Sequence, residues 1–277
     1  MITYQYLKEL ESDYIQSSLL THHEFKLLFF HIVGKDFNPI DAERINDDCV
    51  PMLISALERR KKGEPIQYIL GRWPFIDLEL FVDNRALIPR PETELLALKA
   101  EKLIEKIQNP IITDLCSGNG AIALYLESVF PFSQIDAVDI SSAACELMQK
   151  NKKHLNSKIN IINNDVIDYL VSLPDDSIDL FVSNPPYVCD SDYYSGYSEL
   201  KYEPSLAFLA SENGLFFYNH MTPICYEKQK YDGYLIYEIG ENQGQEVKSI
   251  LIDSGYKRVE ILKDYYQLDR YVIGKKI

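Results

Sequence analysis

Apolar residues recur at three- and four-residue spacings in Tyr4, Leu7, Leu10, Tyr14 and Ile15, and again in Phe25, Leu28, Phe29, Ile32 and Val33. That period marks amphipathic helices. His31 falls within the second stripe and reads as a helix histidine, not a ligand. Gly34 ends that helix, Asn38-Pro39 opens a third segment, and a further helix runs through Met52, Leu53, Ile54 and Leu57. It closes on Arg59-Arg60-Lys61-Lys62, cations that complement the helix dipole, so the cluster reads as a helix end rather than a binding patch. From Gly63 the pattern shortens: residues 65–71 and 75–82 are partly alternating runs between turn residues and predict a small hairpin. Pro91, Glu92 and Glu94 then start a helix through Leu95, Leu98 and Leu103.

Beyond Pro110 the pattern alternates. Strands are expected at 111–115, 135–139, 159–162 and 178–183, with helices at 121–130 and 142–153 between the first three. A strand at 234–239, a helix at 244–254 and a closing pair at 256–262 and 270–275 follow. Such alternation predicts an α/β fold, an open, mostly parallel sheet covered on both faces, with a hairpin-like end. The expected domains are a helical unit at 1–62, a hairpin linker at 63–92 and an α/β domain at 93–277.

Composition changes this picture little: 277 residues, 46% hydrophobic and 25% charged, is ordinary globular usage. Net charge is −14, which disfavours broad contact with nucleic-acid phosphates. The five cysteines are scattered without a CxxC pair or a Cys/His cluster, so neither a disulfide framework nor a metal site is expected. No uncharged run reaches membrane-spanning length and no secretory leader pattern opens the chain, so a cytoplasmic protein with no membrane partner is expected.

The candidate chemistry sits at strand ends, where open α/β sheets bind ligands. Cys116-Ser117-Gly118-Asn119-Gly120 is a tight turn before a helix, and Gly118, Gly120 and Ala123 fit the relaxed dinucleotide fingerprint. This turn alone does not separate a nicotinamide cofactor from another adenosine-bearing one. Asp139 ends the next strand about 20 residues later, where a carboxylate takes ribose hydroxyls. Asp165 follows the third strand and can accept from an adenine amine, with Val166 against the ring. Singly, either aspartate reads first as a cap or turn former. The fourth strand runs into Asn184-Pro185-Pro186-Tyr187, where two prolines stop the ladder and stiffen its end. There the Asn184 side-chain carbonyl and the Pro185 backbone carbonyl can accept both hydrogens of a planar NH2 group, with Tyr187 over its face. Upstream, Arg90 is held extended between Pro89 and Pro91 and is a candidate site-wall residue.

The glycine turn with Asn184-Pro185-Pro186-Tyr187 resembles class I S-adenosylmethionine-dependent methyltransferases acting on a planar nitrogen. More narrowly, the chain resembles the HemK/PrmC family of release-factor glutamine N5-methyltransferases. The further matches are Gly63-Glu64-Pro65-Ile66, Ile88-Pro89-Arg90-Pro91-Glu92-Thr93-Glu94, Tyr202-Glu203-Pro204, Glu238-Ile239-Gly240 with Gln243-Gly244, and Asp264-Tyr265 with Asp269-Arg270. The resemblance implies a seven-stranded, Rossmann-like methyltransferase sheet and a small N-terminal substrate-recognition domain. It implies S-adenosyl-L-methionine as methyl donor and the Gly-Gly-Gln glutamine of class 1 peptide chain release factors as acceptor. Residues 116–120, Asp139, Asp165, Val166 and Asn184 then face the donor, and Asn184, Pro185, Pro186, Tyr187, Arg90 and Glu203 the acceptor, with Asn184, Pro185 and Tyr187 catalytic. Val166 stands where the family often has an aromatic, and Cys116 where it usually has glycine. The competing reading is an adenine-N6 or guanine-N2 nucleic-acid methyltransferase, using the same motif on a flipped base. Asp190, Asp192, Glu199 and Glu203 after the motif would repel phosphates, although Tyr193, Tyr194 and Tyr197 offer stacking surfaces. A non-catalytic protein on the same fold would have no need of Asn184.

Overall fold

The computed structural model describes residues 4–17, 20–38, 46, 48–189 and 200–277. The segment expected from Asn38-Pro39 onward and the acidic, tyrosine-rich stretch 190–199 fall largely outside the described residues. The chain forms two compact units, residues 1–72 and 73–277.

In the first unit, α1 (Tyr4–Ser17), α2 (His22–Val33), α3 (Cys49–Lys61) and the short α4 (Ile66–Leu70) surround one apolar core. Leu7, Phe25, Leu28, Phe29 and Leu57 lie at its centre, fully buried, whereas His31 is exposed. Thr21 and Glu24 close a capping box at the start of α2, and Gly34 ends it in the left-handed conformation. Arg60 is buried against Glu24 at 2.9 Å and Arg59 pairs with Glu64 at 2.8 Å, so both arginines of the basic cluster are tied to carboxylates of their own unit.

Residues 65–71 correct the hairpin expectation. They form a single helical turn because Pro65 leads into it, Gly71 at φ 70° terminates it, and Ile66, Ile69 and Leu70 gather on the apolar core. Five residues are too few for periodicity to separate helix from strand. The hairpin forms instead between β1 (Arg72–Phe75) and β2 (Leu78–Phe81).

The second unit is built on a seven-stranded sheet. Its strands are β3 (Ile111–Leu115), β4 (Gln134–Asp139), β5 (Asn160–Asn163), β6 (Ile178–Ser183), β7 (Gln229–Glu238), β8 (Lys257–Lys263) and β9 (Asp269–Lys275). Their spatial order is β5-β4-β3-β6-β7-β9-β8, parallel from β5 to β7, with β9 antiparallel to both its neighbours. Side chains alternate between two cores. Leu180, Val182 and Ile236 face α5 (Pro91–Ile104), α6 (Ala121–Val129) and α7 (Ser142–His154). Phe181, Leu235 and Tyr237 face α8 (Val166–Ser172), α9 (Phe216–Lys228) and α10 (Gly244–Asp253).

Three features of this unit escape the periodicity reading. The helix α8 spans only seven residues, and α9 carries Pro223 in its interior. The strand β7 begins at Gln229, because Asp232 at φ 66° and Gly233, close against the Asp179 carbonyl, interrupt the alternation without ending the pairing. The chain runs outward from β3 through β4 to β5, then returns to β6 on the other side of β3. This reversal is the topological switch point, and there Leu115 pairs with Ser183, bringing Cys116 and Asn184 to adjacent strand ends.

Candidate active site

The carboxyl ends of β3, β4 and β6 and the turn after β5 wall a cavity of about 1030 Å³, including its open mouth. Three residues of the glycine turn, Cys116, Gly118 and Gly120, have positive φ (62°, 57° and 85°). At Gly120 a Cβ would stand 2.5 Å from Met148 Cγ, so packing as well as backbone angle demands glycine. The turn is held from below: Ser117 N donates to the Val138 carbonyl (3.0 Å) and Ser117 Oγ to the Asp114 carbonyl (2.7 Å).

Asp139 organises the same turn. Its Oδ2 accepts from Gly118 N at 2.8 Å and its Oδ1 from Ser141 N at 2.9 Å, which leaves each oxygen a further lone pair. Asp165 caps α8 by accepting from Ile167 N at 2.7 Å, so the cap reading is realised, while it also lines the cavity beside the buried Val166. Asn119 is buried, and its Nδ2 has no hydrogen-bond partner among the described residues. The Asn119 carbonyl accepts from Asn151 Nδ2 (3.1 Å), and Asn151 also brackets the backbone of Phe81, joining β2 to the turn. Nothing in the sequence singled out Asn151.

Asn184 also lines a second hollow, of about 460 Å³ including its open mouth, with Arg90, Pro185, Tyr187, Phe208 and Glu238. One side chain therefore borders both spaces. Arg90 pairs with the buried Glu203, whose other oxygen accepts from Ile88 N at 3.0 Å. Both Glu203 oxygens are thus engaged within the chain. Tyr187 is fixed through its backbone: its carbonyl accepts from Gln243 Nε2 (3.1 Å), and Gln243 Oε1 accepts from Gly240 N (2.9 Å). Gly214, at φ 83°, lies so close that a Cβ there would stand 2.2 Å from the Tyr187 carbonyl oxygen. Gly214→Ala is expected to cost about 1–3 kcal/mol in strain alone and to displace the motif. Urea unfolding and turnover should both register it, and a variant with wild-type stability would contradict this contact.

Two buried carboxyls border this region. Burial pushes Asp114 up to about 7, against the hydrogen bond from Ala123 N, and pushes Glu238 up to about 7, against Thr93 and Arg270. Both folded values lie above the ordinary carboxylate range, so the folded chain binds more protons than the unfolded one from about pH 4 to 7. The stability they contribute is complete below their unfolded pKa and is lost as pH rises through 7. The expected decline is on the order of 3 kcal/mol per group. Urea midpoints should be higher at about pH 5.5 than at about pH 8. Equal midpoints, or higher ones at the alkaline value, would refute it.

A mostly parallel sheet of this order, with a glycine turn on β3, an aspartate ending β4 and Asn-Pro-Pro-Tyr after β6, defines a methyltransferase. A family model described as the methyltransferase small domain matches residues 93–200. A crystal structure of a methyltransferase from Pyrococcus furiosus shares the fold, with TM-score 0.53 and 15% identity over 73% of this chain and 90% of that one. Over 270 residues the chain is 34% identical to the release factor glutamine methyltransferase of Fusobacterium nucleatum, covering 96% of this chain and 73% of that protein. It is also 34% identical to the enzyme of the same description from Escherichia coli, over 94% of each. The chain belongs to the release factor glutamine methyltransferase family.

Among the described residues no helix is long and apolar enough to cross a membrane, and no His, Cys, Asp and Glu side chains gather as a metal site.

Proposed function

We propose that this protein transfers a methyl group from S-adenosylmethionine to the side-chain amide nitrogen, N5, of the Gly-Gly-Gln glutamine in class 1 peptide chain release factors. The observation that carries this is the position of Asn184, which borders the larger cavity on one side and the smaller hollow on the other. The larger cavity suits an adenosine-bearing donor: Asp139 is a half-buried carboxylate with lone pairs left for a ribose diol, and Val166 offers an apolar wall. Bound there, the donor supplies an electrophilic methyl group on a sulfonium.

The residues of the chain do the orienting. An amide nitrogen is a weak nucleophile because its lone pair is delocalised into the carbonyl. Asn184 Oδ1 and the Pro185 carbonyl accept its two N–H groups, which turns the lone pair towards the methyl group, while Tyr187 covers the amide plane. Transfer would form the N–C bond as the S–CH3 bond breaks to leave a neutral thioether, and the proton would then pass from the nitrogen, now cationic and acidic, to water. Orientation and preorganised dipoles carry the rate, with no dedicated base. We assign Arg90 and Glu203 to the wall of the acceptor hollow and the helical unit, residues 1–72, to recognition of the release factor remote from the reacting nitrogen.

The test is mass spectrometry of a class 1 release factor incubated with this protein and labelled S-adenosylmethionine. One methyl group on the Gly-Gly-Gln peptide is expected. Label transferred to an adenine or guanine of nucleic acid, and none to the factor, would establish the competing reading.

A further inference from the structure

The amide of Asn184 is held by a chain of hydrogen bonds that joins three distant segments. Asn184 Nδ2 donates to Thr93 Oγ1 at 3.0 Å, and Thr93 Oγ1 donates to Glu238 Oε2 at 2.8 Å. Tyr187 Oη reaches the other oxygen of Glu238 at 3.4 Å. Glu238 ends β7 and Thr93 lies in the first turn of α5, both buried. Arg270 also faces Glu238, and its Nη1 donates to the Ile239 carbonyl at 3.1 Å.

A hydroxyl has one proton to give. Above about pH 7, where Glu238 is ionised, Thr93 spends it on that carboxylate, so towards Asn184 it has only lone pairs to present. The Asn184 atom facing Thr93 must therefore be the amide nitrogen, and Oδ1, which has no partner among the described residues, is left as the group's acceptor. A flipped Asn184 would set its carbonyl against the Thr93 oxygen and turn its NH2 towards the NH2 of an incoming amide, donor against donor. The ordinary explanation of a threonine at a helix start is a cap, but the N-cap of α5 is Arg90 and no side chain caps it.

We infer that Thr93, backed by Glu238, is a positioning residue that fixes the amide of Asn184 with its carbonyl towards the acceptor. This rests on the reading of Asn184 as the residue that orients the acceptor amide. Thr93 and Glu238 act through Asn184, not on the substrate, so losing the Thr93 hydroxyl should lower the rate of transfer rather than the affinity for either substrate.

The experiment uses the full chain, S-adenosylmethionine and a class 1 release factor. Thr93→Val keeps the shape and removes the hydroxyl; Thr93→Ser keeps the hydroxyl. The Val variant should lose about tenfold or more in kcat, with KM for the factor and Kd for the donor within about threefold. The Ser variant should recover most of that loss. Introduced beside Asn184→Ala, Thr93→Val should cost little more, because the group it positions is already gone. If Thr93→Val melts far below wild type, Thr93→Ala carries the same comparisons. Equal kcat in wild type and Thr93→Val, no recovery with serine, or the same loss in both Asn184 backgrounds overturns the inference while leaving the proposed function standing. A wild type that methylates no release factor refutes that function, and this inference with it.

Discussion

Asn184→Ala is expected to lower the maximal rate of methyl transfer about a hundredfold or more, while the dissociation constant for S-adenosylmethionine stays within about twofold. The asymmetry follows from the place of the side chain. Its backbone is fixed by the end of β6 and by the buried Pro185 and Pro186, so truncation beyond Cβ leaves the motif in position. The glycine turn and Asp139 are held by their own hydrogen bonds to Val138, Gly118 and Ser141, none of which passes through Asn184. What disappears is the acceptor for one N–H of the substrate amide. Without it only the Pro185 carbonyl holds the amide, which can swing about that one contact, and its lone pair is no longer aligned. Removal of a single preorganised group costs two to three orders of magnitude where charge develops in the transition state. Calorimetry of donor binding and single-turnover methylation separate the two effects. Loss of donor binding in the variant would assign Asn184 to the donor cavity instead.

How much of this was legible beforehand depends on how local each signal is. The strands β3, β4, β5 and β6 carry short apolar runs that end on turn residues, and their expected limits differ from the observed ones by at most a residue. The chemistry at their ends is local too: glycines, an aspartate and an Asn-Pro-Pro run announce themselves within a few positions. The helix at 66–70 was misread because five apolar-rich residues satisfy either period. The supporting shell was invisible for a different reason. Thr93 and Asn184 are 91 positions apart, and Thr93 and Glu238 are 145 apart, so no window of sequence holds both partners. Glu238 stands in the sequence only as part of the matching stretch Glu238-Ile239-Gly240, and Gly214 carries no signal of its own. Only the fold brings the first against Thr93 and the second against the Tyr187 carbonyl. Arg90 shows the intermediate case: its flanking prolines made it conspicuous, but its partner Glu203 is 113 positions away.

Asp139→Ala is expected to weaken S-adenosylmethionine binding by about 1.5–3 kcal/mol, the scale of a hydrogen bond to a charged group. That is roughly a tenfold to 150-fold rise in dissociation constant. Two losses combine. The carboxylate ceases to receive the ribose hydroxyls, and Gly118 N and Ser141 N lose the acceptor that shapes the turn around the ligand. Asp139→Asn separates them in part, since one carboxamide oxygen still accepts and the added NH2 cannot; its affinity should fall between wild type and alanine. Burial already holds the Asp139 carboxyl above its usual range, with the Ser141 and Gly118 N–H groups opposing the rise, so hydroxyl donors from a bound ribose meet an anion that is short of hydration. If the contact is to the ribose, the demethylated product, S-adenosylhomocysteine, must lose the same factor as the donor, because the two share that sugar and differ only at sulfur. Calorimetry with both ligands decides. A loss confined to the sulfonium compound would mean that Asp139 acts through its charge on the distant cation, and equal affinity in wild type and alanine variant would remove it from the donor site.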